Sequence, residues 1–130
     1  MAVLLTRTDS GDYEVVATAG MPPLPLAGAM LSGELGTVCG FAAAQREAVI
    51  FEDVPATARF SGAVMATNFG VVSSIVVALR HREQVTGILS VHSRTVRAFT
   101  GAEARDVEAA AEGLVLSLAL LAGADRNPAP

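Results

Sequence analysis

Lysine and tryptophan are absent from this 130-residue chain, cysteine and tyrosine occur once each, and histidine occurs twice. Each shortage removes a class of function. The lone thiol, Cys39, closes no internal disulfide, which makes a reducing cytoplasm the natural setting. One cysteine and two histidines fall short of the roughly four clustered ligands of a structural zinc site, so no metal is expected. Nine basic residues, all arginine, stand against thirteen acidic ones, for a net charge of −4. No basic stripe follows a phosphate backbone, and nucleic acid is not an expected partner. The acidic balance also disfavours anionic membranes. The longest apolar run, Leu114 to Ala124, is interrupted by Ser117 and is well short of the ~20 residues of a membrane span. The start, Met1 to Leu5, lacks the basic and apolar regions of a secretory signal. Arginine without lysine, amid many Ala, Gly and Val, is the codon usage of a GC-rich bacterial genome.

What remains is 52% hydrophobic residues, enough for the core of one domain. Val3 to Thr8 is apolar and β-branched, Asp9-Ser10-Gly11-Asp12 is a turn, and Tyr13 to Ala19 alternates again: a β-hairpin. Leu26 to Leu31 reads as a short extended piece. Leu35, Val38, Cys39, Ala42 and Ala43 recur at helical spacing and predict a helix over Glu34 to Arg46. Gly36 and Gly40 weaken that helix and suggest close packing against it. Ala48 to Glu52 is a strand stopped by Asp53 and Pro55, and Ala56 to Gly70 reads as helical turns and loop. Val71 to Arg82 and Gln84 to Ser93 form a second hairpin. Thr100-Gly101-Ala102-Glu103 is a capping box opening a helix that runs to about Leu121. Hairpins in this order predict an α+β domain with an antiparallel sheet of five or six strands and helices on both faces.

Three segments resemble the GAF domain family, a PAS-related fold. They are Gly36-Thr37-Val38-Cys39-Gly40-Phe41 through Arg46 to Val54; Val72-Ser73-Ser74-Ile75-Val76-Val77-Ala78-Leu79; and Gly87-Ile88-Leu89-Ser90-Val91-His92-Ser93 followed by Arg97-Ala98-Phe99-Thr100 and Glu103. The resemblance implies one GAF domain over 1–124, a tail over 125–130, and a missing first helix, since the chain starts almost directly in a strand. It implies a non-catalytic sensory or regulatory module of a larger signalling protein, such as a two-component histidine kinase. Pro25 to Leu31 also resembles the second GAF domain of actinobacterial dormancy-type, gas-sensing kinases.

The family includes a sulfoxide reductase and bilin photoreceptors that use cysteine. Here no resolving thiol accompanies Cys39, and Gly40 follows it where chromophore-binding members carry histidine. No cofactor is therefore expected. A haem-binding gas sensor and a reductase of the free-methionine-sulfoxide type stay as alternatives. The lysine-containing cyclic-nucleotide signature is absent. His81 falls in a polar turn and should be solvated. Ser90 and His92 lie two apart on a strand and share a face, without the acid or oxyanion hole of a hydrolase. The candidate pocket wall is Phe41, Phe51, Phe60, Met65, Phe69, Ser74, Val76, Ser90 and His92, and any ligand should be hydrophobic. In the last helix, Val107, Ala110, Ala111, Leu114, Leu118 and Leu121 form the stripe facing the sheet. Ala109, Leu116 and Leu120 lie elsewhere and are expected at a homodimer interface or against a neighbouring domain.

Overall fold

The computed structural model describes residues 1–20, 28–54, 70–96 and 99–126, and the side chains of 122–126 are outside that description. Strands β1 (Ala2–Arg7), β2 (Tyr13–Ala19), β3 (Met30–Leu31), β4 (Val49–Phe51), β5 (Ser73–His81) and β6 (Gln84–Ser93) form one sheet in the order β3-β2-β1-β6-β5-β4. Every pairing is antiparallel, including the long-range one of β1 with β6, which joins the two hairpins. The β5–β6 turn places Arg82 and Glu83 at positive φ, 52° and 67°. Two left-handed residues in a two-residue loop match the twist of the strands they connect.

Alternation along the strands separates two cores. Val3, Leu5, Tyr13, Val15, Phe51, Val76 and Ile88 point to one face, where Cys39 and Ala42 of helix α1 (Val38–Ala43) pack on them. Val77, Leu79 and Leu89 point to the other, under helix α2 (Gly101–Arg126). Helices thus cover both faces, as the hairpin order requires.

Helix α1 is much shorter than the predicted Glu34 to Arg46. Thr37 ends it at the N-terminus, its Oγ1 accepting from the Gly40 amide at 3.1 Å. A Cβ on Gly40 would collide with the carbonyls of Glu34 and Gly33. The chain before Thr37 folds back over the helix in place of extending it, so Leu35 stays exposed. The expected close packing at Gly40 is therefore present, but its partner is the preceding loop.

At α2 the capping box forms reciprocally: Glu103 N donates to Thr100 Oγ1 at 3.1 Å, and Thr100 N donates to Glu103 Oε1 at 3.0 Å. The helix continues past Leu121 to Arg126. Val107, Ala111, Leu114, Val115 and Leu118 face the sheet. Two members of the predicted stripe do not: Ala110 and Leu121 are exposed, and Val115 takes a place in it. The buried stripe ends at Leu118, the last described helix residue packed on the β5–β6 core. Among the described residues no helix is long and apolar enough to cross a membrane.

Candidate functional site

Strands β5 and β6 run side by side with Ser74 opposite His92 and Val76 opposite Ser90. Opposed residues share a face, so Ser74, Val76, Ser90 and His92 come together on the α1 side. The His92 ring lies between the two hydroxyls, with Ser74 Oγ 2.6 Å from Nδ1 and Ser90 Oγ 2.7 Å from Nε2. One ring nitrogen donates its proton to a serine, and the other accepts a hydroxyl proton. Ser74 and Ser90 are 1% and 4% exposed, so this is a buried polar cluster in an otherwise apolar wall. Such groups are tolerated in a core because they satisfy one another. Burial, and secondarily the positive charge of the Met1 amino group, lowers the His92 pKa to about 4. The ring is accordingly neutral at pH 7.

The aromatic part of the predicted wall is adjacent in the core. Phe41 of α1 and Phe51 of β4 meet edge to face, with centroids 6.1 Å apart and planes at 63°. Phe51 and Val76 belong to one buried cluster, and Phe41 packs against it. Six of the nine wall residues are thus on the face covered by α1. Phe60, Met65 and Phe69 lie outside the described residues. His81 is exposed at the end of β5, as its polar turn implied.

The cluster is poorly suited to acid–base work. A histidine that stays neutral down to about pH 4 is a weak base. Both of its nitrogens are engaged, so coordination of a metal or haem iron would require breaking one serine contact. Among the described residues no three His, Cys, Asp or Glu side chains converge as a metal site needs.

Cys39 is buried at 5% exposure, and desolvation pushes its thiol up to about 12. The thiolate is the reactive form. At neutral pH its fraction is about a thousandfold below that of an ordinary cysteine. The native chain at pH 8 should therefore react with a thiol reagent about a thousandfold more slowly than the chain in denaturant. Equal rates in a stopped-flow comparison would contradict the burial.

Sequence reasoning passed over Arg80. At the end of β5 its Nη2 donates to the carbonyls of Ala43, at 2.5 Å, and Gln45, at 3.0 Å. The Ala43 carbonyl is one that a helix C-terminus leaves without an intrahelical partner, Gln45 follows just past the cap, and a cation there complements the helix dipole. Arg80 thereby ties α1 to β5. In the sequence it reads as an ordinary polar residue near a hairpin turn, because its acceptors lie 35 and 37 positions away.

Comparison with known proteins agrees with this architecture. The family model described as GAF domain matches residues 1–118. No curated protein matches the chain. Among solved structures, the GAF domain of a phosphoenolpyruvate-protein phosphotransferase from Coxiella burnetii superposes with a TM-score of 0.83 at 16% identity, over 96% of this chain and 74% of that one. A domain of a putative two-component sensor histidine kinase from Sinorhizobium meliloti 1021 gives 0.71 at 15% identity, over 98% and 84%. The type II free methionine-R-sulfoxide reductase from Thermoplasma acidophilum gives 0.69 at 18% identity, over 88% and 74%. At these identities the likeness is one of fold.

Proposed function

The chain belongs to the GAF domain family, and from that premise we propose that it is a non-catalytic sensory module of a larger cytoplasmic signalling protein, a two-component histidine kinase being the foremost host. The observation that carries this reading is helix α2. It is 26 residues long, seats one stripe on the sheet, and leaves Leu116 and Leu120 at 64% and 67% exposure. Leucines so exposed, one helical turn apart, form an apolar strip that a second copy of the helix would cover. Ala109 is exposed two turns earlier and extends the strip.

Strands β5 and β6 supply the route from site to helix. Ser74, Ser90 and His92 project from one face, and Val77, Leu79 and Leu89 project from the other into the core under α2. A ligand settling on the Ser–His–Ser face would move the same strands on which α2 rests. The likeness to a sensor-kinase domain supports this reading. The burial of Cys39 supports it over a reductase, although one similar fold is that enzyme's.

The test is the assembly state. Sedimentation should give a dimer for the chain and a monomer for Leu116→Asp/Leu120→Asp, with folding unchanged by circular dichroism. Burying a leucine is worth about 1.5–3 kcal/mol, so the double change should weaken association by more than about a hundredfold. A chain that is monomeric at every concentration tried would remove α2 as the output interface.

A further inference from the structure

Helices α1 and α2 lie on opposite faces of the sheet, and one short segment is held by groups from both sides. Residues 44–48 run from the end of α1 to the start of β4. Strand β4 is an edge strand, so the segment leads to the edge of the sheet. Its surroundings change side along the way. Ala43, just before it, packs on the core beneath α1. Ala48, at its end, packs on the other core, the cluster of Val77, Leu79, Leu89 and Ala111 beneath α2.

A charged side chain from elsewhere in the chain pins each end. On the α1 face Arg80 Nη2 of β5 donates to the Ala43 and Gln45 carbonyls. At the other end the Ala48 amide donates to Glu108 Oε2 of α2 at 3.4 Å, across 60 positions of sequence. Hydrogen bonds with one ionised partner are the stronger kind, and both anchors are of that kind. A third contact, Arg46 with Glu83 at 2.8 Å, joins side chains 74% and 73% exposed, and an ion pair so open to water holds little. Only Arg46 and Glu47 separate Gln45 from Ala48. Each residue spans at most about 3.6 Å, so there is little slack between the anchors. The last turn of α1 closes on two backbone bonds, Ala44 N to Phe41 O at 3.2 Å and Gln45 N to Ala42 O at 3.0 Å. Opening that turn moves the segment, and with so short a tether it draws on the Ala48 anchor as well.

We propose that residues 44–48 act as a strap that couples α1 to α2 around the edge of the sheet, with Arg80 and Glu108 as its anchors. Glu108 is a positioning residue, acting on α1 through the strap. The proposal is independent of the sensory reading, because every group in it belongs to one protomer. Where that reading holds, the strap is a second route from the α1 face to α2, beside the one through β5 and β6.

Amide hydrogen exchange of the ¹⁵N-labelled chain tests the strap, with Ala44 and Gln45 reporting on α1 and Ala48 on the far anchor. Glu108→Ala should speed exchange at Ala48, and should also speed Ala44 and Gln45 about threefold to tenfold, as expected for loss of one hydrogen bond. The amides of the β5–β6 ladder should keep the parent rate. Glu108→Gln retains an acceptor oxygen and should restore most of the protection. In the reverse direction Arg80→Leu should speed exchange at Ala48, because coupling between two sites is reciprocal. In the double variant the two effects on Gln45 should fall short of their product, since either loss alone frees the strap. The proposal is overturned if Glu108→Ala speeds Ala48 alone, or if the ladder amides accelerate by the same factor as Gln45. It is equally overturned if Glu108→Gln behaves like Glu108→Ala, if Arg80→Leu leaves Ala48 at the parent rate, or if the two effects on Gln45 simply multiply.

Discussion

Lowering the pH from 7 to 4 should remove about 3 kcal/mol of folding stability through His92 alone. The folded ring holds its proton only near pH 4, against an ordinary value of 6.5. Between those values the unfolded chain binds a proton that the folded chain refuses, so the equilibrium shifts toward unfolding as pH falls. The contribution is complete above pH 6.5, declines through the interval, and is gone below about pH 4. The size follows from the interval at 1.36 kcal/mol per pH unit, hence about 3 kcal/mol. The physical cause is burial of the ring, which penalises its charged form, with the positive Met1 amino group adding to it. Urea unfolding at several pH values would measure the slope, with His92→Gln as the reference because carboxylates also titrate toward the acid end. The parent should lose stability faster than the variant between pH 6.5 and 4. Parallel curves would mean that the His92 ring is solvated rather than buried.

Leu79→Ala should cost about 2–5 kcal/mol, and Leu116→Ala should cost a protomer no more than about 0.5 kcal/mol. Leu79 is 0% exposed and lies in the cluster formed with Val77, Leu89 and Ala111 between the sheet and α2. Truncating it opens a cavity that neither a strand paired on both sides nor a capped helix can easily collapse into. Leu116 is 64% exposed on the same helix, so its truncation leaves no void. Its effect should appear in association alone. Chemical denaturation of both variants at a concentration that keeps them monomeric separates the two roles. Similar losses from both would mean that α2 is rotated about its axis, with Leu116 turned toward the sheet.

Much of this fold was legible in the residues. The hairpins follow from turn residues between alternating runs, and Thr100 with Glu103 announced the start of α2 through short-range chemistry that survives any packing. The spacing of Ser90 and His92 put both on one face before any pairing was known, and their bond at 2.7 Å fits it. The limits were equally physical. Ser74 is 18 positions from His92, and only the β5–β6 register brings them within 2.6 Å. Helical period alone extended α1 to Glu34, because nothing local shows that the preceding backbone would press against Gly40. It also assigned Leu121 to the buried stripe, because how far along the helix the sheet reaches depends on both elements together.

Among the described residues, the sequence by itself determined the strand and helix types, the antiparallel pairing within each hairpin, the capped helix and the surplus of leucine along it, because these depend on period, turn chemistry and capping within a few residues. The tertiary structure decided which of those leucines are covered, where Arg80 finds its carbonyls, how the two serines enclose His92, and that Glu108 reaches the Ala48 amide. Each of those depends on distances between residues far apart in the chain, and the pairing of β1 with β6 sets many of them at once.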